Sequence, residues 1–392
     1  MKSVITVLLI IAATLILGGC VVLNLARFGA TPDAQQQKAY SGSANYNAGE
    51  QAFHNQVTTP VLKEGVSTWS VMWGNLTSSA DNLAPQGAIP VNKVDFKSLP
   101  REENLIVWLG HSGFYLQING QRILVDPVFS DYASPFSFMV KAFKGTTIFT
   151  VDDLPEIDVL LISHDHYDHL DYNTAVALEN KVKRVFVPLG IGAHFAHWNY
   201  TAEQLHEADW YDSLELGNDV QIHLIPARHY SGRSLTRNQT LWGGFVITSP
   251  QFRLLLGGDS GYGPHFKAIG ERFGGFDLVA LDTGQYDPRW PYIHMTASES
   301  KQAAIDVNAR ALLPIHIGRF ALARHPWKEP FEEIRALSEN APYQLHTPLI
   351  GQPINLASPP ASKPWWQSVD LRLSHSGEQH GRGIVREAPK PK

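Results

Sequence analysis

The sequence is poor in cysteine: Cys20 is the only one in 392 residues. One thiol allows no intramolecular disulfide and no cysteine-rich structural zinc site. Charge is scarce as well. Asp, Glu, Lys and Arg make up 18% of the chain, against a typical share of roughly 25%. No basic excess exists: 32 Lys and Arg face 37 Asp and Glu, a net charge of −5, which argues against a nucleic-acid binder. No internal repeat is visible. What the chain does have is 44% apolar residues, enough for a sizeable core and too many for wholesale disorder. The length admits two or three domains, or one large domain with extensions. Metal chemistry in such a chain must run on His, Asp and Glu. Of the 17 histidines, eight fall between His164 and His229.

The N-terminus reads as an address. Met1 and Lys2 precede an apolar run, Val4 to Leu17, and then Gly18, Gly19 and Cys20. A short positive start, an apolar stretch and small residues at its end have the form of a secretory signal. Leu17-Gly18-Gly19-Cys20 resembles a bacterial lipobox, which implies a lipidated Cys20 at the mature N-terminus. An uncleaved anchor over Val4 to Leu23 is the alternative, since about 20 apolar residues span a bilayer. Either reading puts the protein in the cell envelope. Val21, rather than Asp, after the cysteine favours the outer membrane. Residues 1–20 are therefore expected as signal peptide and 21–60, rich in Gln, Ala, Ser, Asn and Gly, as a tether whose end could wrap the domain.

Residues 61–357 are expected as the domain proper, with 61–100 as an irregular N-terminal layer containing Trp69 and Trp73. Strand-like runs follow at Leu105–Leu109, Phe114–Ile118 and Arg122–Val125, the last two joined by the turn pair Asn119-Gly120. Further strands are predicted at Val159–Ile162, Arg184–Val187, Gln221–Ile225, Gly244–Thr248, Phe252–Leu256, Leu278–Leu281 and Ala311–Ile315. Helices are predicted at Tyr172–Asn180, Ile191–Trp198, Pro264–Phe273, Ala297–Asn308 and Glu329–Asn340. Hairpins first and alternating helices later suggest layered α/β, with helices outside two sheets. Residues 358–392 are expected as a C-terminal extension in which Trp365-Trp366 docks on the body or meets a membrane interface.

His164-Asp165-His166-Tyr167-Asp168-His169-Leu170-Asp171 directly follows the strand Val159–Ile162. His164, His166, Asp168 and His169 are four candidate ligands in six positions. One tetrahedral ion would have difficulty taking all four from so tight a loop, whereas two ions about 3.5–4 Å apart would accommodate them.

An H-x-H-x-D-H cluster after an apolar strand resembles the signature of the metallo-β-lactamase superfamily. That resemblance implies an αββα four-layer sandwich with metals at one edge of its two sheets. It also implies three further ligands downstream: His229 in Pro226-Ala227-Arg228-His229, Asp259 in Gly257-Gly258-Asp259, and His316 in Leu313-Pro314-Ile315-His316. On this basis His164, His166 and His229 hold one ion, Asp168, His169 and His316 the other, and Asp259 bridges them. Two Zn²⁺ are implied, though His and carboxylate ligands also suit Mn or Fe. The text around residues 95–350 is similar to the branch containing N-acylphosphatidylethanolamine-hydrolysing phospholipase D. It includes Trp108-Leu109-Gly110-His111, Leu124-Val125-Asp126-Pro127, Leu241-Trp242-Gly243-Gly244 and Tyr286-Asp287-Pro288-Arg289-Trp290. The branch commonly has His-Ala-Thr where this chain has His111-Ser112-Gly113, Gln-His where it has Ile293-His294, and Asn where it has Asp165. The first and third differences are expected to touch the pocket rather than the ligands.

The implied function is a membrane-anchored dinuclear hydrolase of phospholipase D type, acting on N-acylphosphatidylethanolamine-like lipids through a metal-bridging hydroxide. Its partners would be a phospholipid or a small ester or phosphodiester, and the membrane itself. Asp168 is expected to bind metal and orient the hydroxide. His294 either meets a phosphate oxygen or leaving group, or is a satisfied buried histidine. Asp171 and Asp126 either support ligand imidazoles or serve turns and caps. Arg289 and Arg319 either bind phosphate or form structural ion pairs. His111 lines the site without being counted a ligand. A lactonase or other ester or amide hydrolase on the same metals is the alternative, and a non-catalytic binding lipoprotein is the third reading.

Overall fold

The computed structural model describes residues 14, 17–77 and 80–369. Most of the apolar run expected as a signal segment, and residues 370–392 of the expected extension, lie outside the described residues. No helix among the described residues is long and apolar enough to cross a membrane.

A small hairpin pairs β1 (Tyr46–Asn47) with β2 (Ala52–Phe53). Two seven-stranded sheets follow. The first contains β3 (Leu105–Gly110), β4 (Gly113–Ile118), β5 (Gln121–Val125), β6 (Val159–Leu161), β7 (Val185–Pro188) and β8 (Leu205–Ala208). The second contains β9 (Ser213–Gly217), β10 (Val220–Ile225), β11 (Gly244–Thr248), β12 (Arg253–Leu256), β13 (Leu278–Asp282), β14 (Ala311–Ile315) and β15 (Gln344–Leu345). The chain then returns, and β16 (Pro353–Asn355) closes the first sheet beside β3. The orders are β16-β3-β4-β5-β6-β7-β8 and β15-β14-β13-β12-β11-β10-β9. Each sheet starts with antiparallel pairs and turns parallel, at β5–β6 in one and β12–β13 in the other. The β4–β5 turn is Asn119-Gly120, both at positive φ, as the right-handed twist of a two-residue hairpin requires.

The inner faces of the sheets bury Ile106, Trp108, Leu116, Leu160, Ile222 and Phe245 in one core. A second core lies beneath the helices His265–Phe273, Ala297–Asp306 and Glu329–Ser338 on the outer face of the second sheet, filled by Phe266, Ile269, Val279, Ala303, Leu312 and Ile334. Two sheets packed face to face with helices outside form the αββα sandwich.

Residues 21–60, expected as a tether, instead pack on the domain from Ala26 onward. Trp198 Nε1 donates to the Ala26 carbonyl at 2.8 Å. Tyr40 and Phe53 are buried against each other, and Tyr46 packs edge-on to Tyr40 and tilted against Phe53. The polar composition concealed a few isolated aromatics, and their burial needs tertiary partners rather than a local period. Residues 61–100 are also less irregular than expected. The helix Thr68–Thr77 forms there, started by reciprocal bonds between Ser67 and Ser70. At the other end Trp365 and Trp366 dock on Phe331, and Trp366 Nε1 donates to Glu332 at 2.8 Å.

Asp158 ties three segments at the start of β6. Its buried carboxylate accepts from Arg101 Nη2, from Lys183 Nζ at 2.9 Å and from the Arg122 amide at 2.9 Å. Burial opposes ionisation, but these donors and cations hold the carboxyl below the usual range. Its contribution is therefore full above the unfolded value of about 3.9 and is lost as pH falls through the lower folded value. Asp158→Asn should cost about 1–2 kcal/mol at pH 7, the pair being partly solvated on its cationic side. Urea melts at pH 7 and pH 3 should show that difference shrinking at the lower pH.

Candidate metal centre

Within the first sheet β3, β5 and β6 run in one direction, and within the second β10, β12, β13 and β14 do; an isolated bridge between His111, just past β3, and Ile317, just past β14, joins the carboxyl ends of the two sets at one edge. His111, Asp126, His164 to His169, His229, Asp259, Asp282 and His316 follow those ends. Several of these turns take a rare backbone: His111, Asp126 and His316 all have positive φ. Two glycines make the approach possible. A Cβ on Gly258, at φ +61°, would lie 2.7 Å from the Gly243 carbonyl oxygen. A Cβ on Gly261 would collide with the Tyr292 carbonyl at 1.9 Å, so glycine lets the 292–294 loop close over the edge.

The seven residues named as ligands converge. His166 Nδ1 lies 2.9 Å from His164 Nε2 and 3.2 Å from His229 Nε2. Ligands about 2.0–2.1 Å from a tetrahedral zinc stand roughly 3.3 Å apart, so this trio has nearly the spacing of a bound set. Beside it Asp168, His169 and His316 form a second group, joined by His111. Asp259 lies between the two. Its Oδ1 is 3.1 Å from His169 Nε2 and 3.0 Å from His316 Nδ1, and its Oδ2 is 3.8 Å from both His164 Nε2 and His229 Nε2.

The fit to metal rests on unspent polar atoms. His169 Nε2, His316 Nε2, Asp259 Oδ1 and His111 Nδ1 are buried without a hydrogen-bond partner. Four such atoms around one edge cost far more than a fold tolerates unless something binds them. The lone pairs are also preset. His229 Nδ1 donates to the Ile293 carbonyl at 3.0 Å, which puts the ring's lone pair on Nε2, 3.2 Å from His166 Nδ1. Burial, with the neighbouring imidazoles, holds His164 and His229 well below the usual histidine range, and burial takes His316 down to about 3. Each shift favours the neutral ring, the form a metal requires. Asp259 is held well below the carboxylate range by His169 and His316 despite its burial.

The surrounding residues sort themselves. Asp126 supports the candidate ligand His169: its Oδ2 meets His169 Nδ1 at 2.8 Å, and its carboxylate accepts from the Ser163 amide at 2.8 Å and from the Ser163 hydroxyl. Asp126→Asn should weaken metal affinity by roughly 10–100-fold, measurable by competition with a chromogenic chelator. Asp171 is a turn residue, accepting from the Ser130 amide and from the Ser130 and Thr174 hydroxyls. Arg289 pairs with Asp287 through two 2.7 Å bonds, and buried Arg319 donates to the Leu109 and Ser130 carbonyls. Neither arginine reads as a phosphate ligand.

The expected place of two sequence differences needs correction. Asp165 does not line the pocket. It is buried behind the motif, where it accepts from the Gly232 amide at 2.7 Å and from Thr240 Oγ1 at 3.1 Å and faces His194. His111 and Ser112 also sit behind ligands, with His111 Nε2 2.8 Å from Asp168 Oδ2 and Ser112 Oγ 3.3 Å from His316 Nδ1.

His294 stands at the pocket side, stacked on His316 with ring centroids 4.8 Å apart. Its Nδ1 is 2.8 Å from Asp282 Oδ2, a residue that sequence reasoning missed. The signal was available: Asp282 ends β13, as the ligands follow other strands. Burial pushes the Asp282 carboxyl up to about 7, and that carboxylate in turn raises His294 despite the ring's own burial. Gln285, also missed, braces the segment after His316. Its amide donates to the carbonyls of His316 and Phe320 and accepts from the amides of Leu322 and Ala323.

Above the centre lies a cavity of about 330 Å³. His166, Asp168, Asp259, His294 and His316 form its floor. Val61, Leu62, Val71, Trp290, Ile293 and Leu322 form an apolar wall.

Residues 121–317 match the family model for the beta-lactamase superfamily domain. An uncharacterized protein of Mycobacterium tuberculosis is 39% identical over 301 residues, covering 76% of this chain and 80% of that one. N-acyl-phosphatidylethanolamine-hydrolyzing phospholipase D 1 of Caenorhabditis elegans is 30% identical over 274 residues, covering 66% and 77%. Among solved structures, the metallo hydrolase Igni18 of Ignicoccus hospitalis has a TM-score of 0.50 at 17% identity, covering 64% of this chain and 97% of that one.

Proposed function

This chain belongs to the metallo-β-lactamase superfamily, in the branch that resembles N-acyl-phosphatidylethanolamine-hydrolysing phospholipase D, and on that premise we propose a dinuclear zinc phosphodiesterase that cleaves membrane phospholipids. The observation that carries the reading is the set of converging donors, four atoms of the cluster unspent, four of whose residues, His166, Asp168, Asp259 and His316, line an apolar-walled cavity. Such a wall suits an acyl chain or a lipid glycerol better than the small polar pocket a lactone would need.

His164, His166 and His229 would hold one ion, Asp168, His169 and His316 the other, with Asp259 between them. Two such ions supply Lewis acidity, lowering the pKa of bound water and polarising a phosphoryl oxygen. The chain's own residues do the rest. Asp168, fixed by His111 at 2.8 Å, orients the attacking water through its carboxylate. Asp282 holds His294 by Nδ1, leaving Nε2 for the substrate. Water adds its oxygen to phosphorus and gives up a proton, the bond from phosphorus to the head-group oxygen breaks, and His294 supplies the proton that oxygen needs, the one released by water restoring the ring. The apolar wall excludes solvent and holds the lipid body. Cys20 is exposed; its lipidation would hold the enzyme at a cell-envelope membrane and raise its concentration beside a lipid substrate.

Elemental analysis of the full chain, with assays on an N-acylated phosphatidylethanolamine and on an aryl lactone, tests the proposal. About two zinc per chain and release of phosphatidic acid are expected. Lactone turnover with no phosphodiester turnover would replace it with the lactonase reading.

A further inference from the structure

The loop that carries His166, Asp168 and His169 is closed from behind by a buried cation. Arg233 Nη1 donates to the Asp165 carbonyl at 2.8 Å and to the Leu170 carbonyl at 2.6 Å. One nitrogen thus holds both ends of the stretch that contains three candidate ligands. The guanidinium lies over the Tyr167 ring, 4.1 Å from its centroid, and Tyr167 Oη donates to the Arg233 carbonyl at 2.7 Å. Asp165 is fixed from the same side. Its carboxylate accepts from the Gly232 amide and from Thr240 Oγ1, and its Oδ2 lies 3.3 Å from His194 Nε2. Arg233, Asp165 and His194 are all buried. None of the three is a candidate ligand, and none lines the metal cavity.

The N-terminal segment reaches these same residues from outside. Arg233 Nη2 donates to the Arg27 carbonyl at 2.8 Å. The Ala30 amide donates to His194 Nδ1 at 3.1 Å. That bond leaves the ring proton on Nε2, where it faces Asp165. Phe28 lies edge-on to Tyr167. Trp198, stacked on His194, donates through Nε1 to the Ala26 carbonyl at 2.8 Å. Gly29 is required for the fit: at φ +71°, a Cβ there would collide with His194 Nδ1. Residues 26–30 thus meet Tyr167 and the side chains packed behind the metal loop at every position. A plain tether needs no such contacts.

We propose that residues 26–30 are a positioning strap for the metal loop, acting through Arg233 and His194 on Asp165 and Leu170, so that the loop keeps its ligand geometry only while the strap is seated. The inference rests on the metal-binding part of the reading above and not on its substrate. Ligands held in place by outer partners bind metal more tightly, because less freedom remains to be lost on binding. With the strap unseated, Arg233 Nη2 and His194 Nδ1 lose their partners, and the loop gains alternative arrangements. The coupling is reciprocal: if the strap favours the metal, the metal favours the seated strap. Cys20 precedes Ala26 by six residues. A cut inside the strap would therefore separate the enzyme from an anchor at Cys20 and weaken its metal site in one event.

The test reads strap seating and zinc affinity in the full chain. Trypsin can cut after Arg27 within the strap and after exposed Lys38 beyond it. Removing zinc should speed cleavage at Arg27 about tenfold, with cleavage at Lys38 changed by less than about twofold. Gly29→Val and Phe28→Ala should each weaken zinc about tenfold in competition with a chromogenic chelator, and should shift the visible absorption bands of the Co²⁺-loaded protein. Tyr46→Ala loosens the same N-terminal segment at Tyr40 and Phe53, away from the loop. It should leave zinc affinity within about twofold of the parent and the cobalt bands unchanged. Phe28→Ala decides the matter if Gly29→Val does not fold. Parental zinc affinity in Phe28→Ala, or cleavage at Arg27 indifferent to zinc, overturns the proposal. So does equal protection of Arg27 and Lys38 by zinc, or a loss in Tyr46→Ala as large as that in Phe28→Ala, since the segment would then be a general stabiliser. A parent chain that binds no zinc overturns the metal-centre reading and the strap with it. Zinc bound without any phosphodiester turnover fails the catalytic reading alone, and the strap is then judged on cleavage and affinity.

Discussion

Asp259→Ala should leave a protein that holds one zinc or fewer and turns over a bis-aryl phosphodiester roughly 10³-fold or more slowly. Its carboxylate lies within 4 Å of imidazoles on both sides of the centre, at 3.0 and 3.1 Å on one side and 3.8 Å on the other. Removing it deletes a ligand from two coordination sets at once. It also removes the negative charge that faces His164, His169, His229 and His316 in a buried site, where unpaired charge is expensive. His166→Ala should be milder in metal content, because its atoms reach only the trio with His164 and His229. Elemental analysis of both variants beside the parent checks the contrast. Two zinc per chain and parental turnover in Asp259→Ala would sink the bridging role assigned to Asp259.

A different signature is expected at His294. His294→Asn should keep both metals and lose roughly 10²–10³-fold in kcat on a substrate with an alkyl alcohol leaving group. On a bis-nitrophenyl phosphodiester the loss should be within about tenfold, because that leaving group departs without a proton. Asp282→Asn should follow the same pattern with a smaller loss. Asp282 touches the reaction only through His294 Nδ1 and through the backbone amides of Ser260 and Gly284. Equal losses on both substrates would show that His294 shapes the site or contacts the phosphate rather than protonating the leaving group. Loss of metal in His294→Asn would instead make it a ligand, a reading its proximity to His229 and Asp259 keeps in view.

Local pattern carried much of the architecture. The helices predicted at 264–273, 297–308 and 329–340 occur as His265–Phe273, Ala297–Asp306 and Glu329–Ser338. Amphipathic periodicity and end signals are encoded within each segment. The short strand Gln344–Leu345, the closing strand Pro353–Asn355 and the helix Thr68–Thr77 were not legible. Two or three residues carry no period, and that helix lacks the polar face that would have marked it.

By itself the sequence determined that this is a metal-handling α/β chain: one cysteine, a dense H-x-H-x-D-H loop, and further donors following apolar runs. Those are properties of neighbouring residues, and a strand of either sheet ends where its apolar run ends. Tertiary structure alone decided what each polar residue does. Asp126 and Asp171 looked alike in sequence, yet one meets the imidazole of His169 and the other closes a turn. Arg289 finds its partner two residues away, whereas Arg319 finds carbonyls at Leu109 and Ser130. His294 acquires a role from Asp282, and residues 26–60 become part of the domain through aromatics buried far along the chain. The reason is that hydrogen bonding and burial depend on which strands lie side by side, and strand order comes from long-range packing that no local pattern contains.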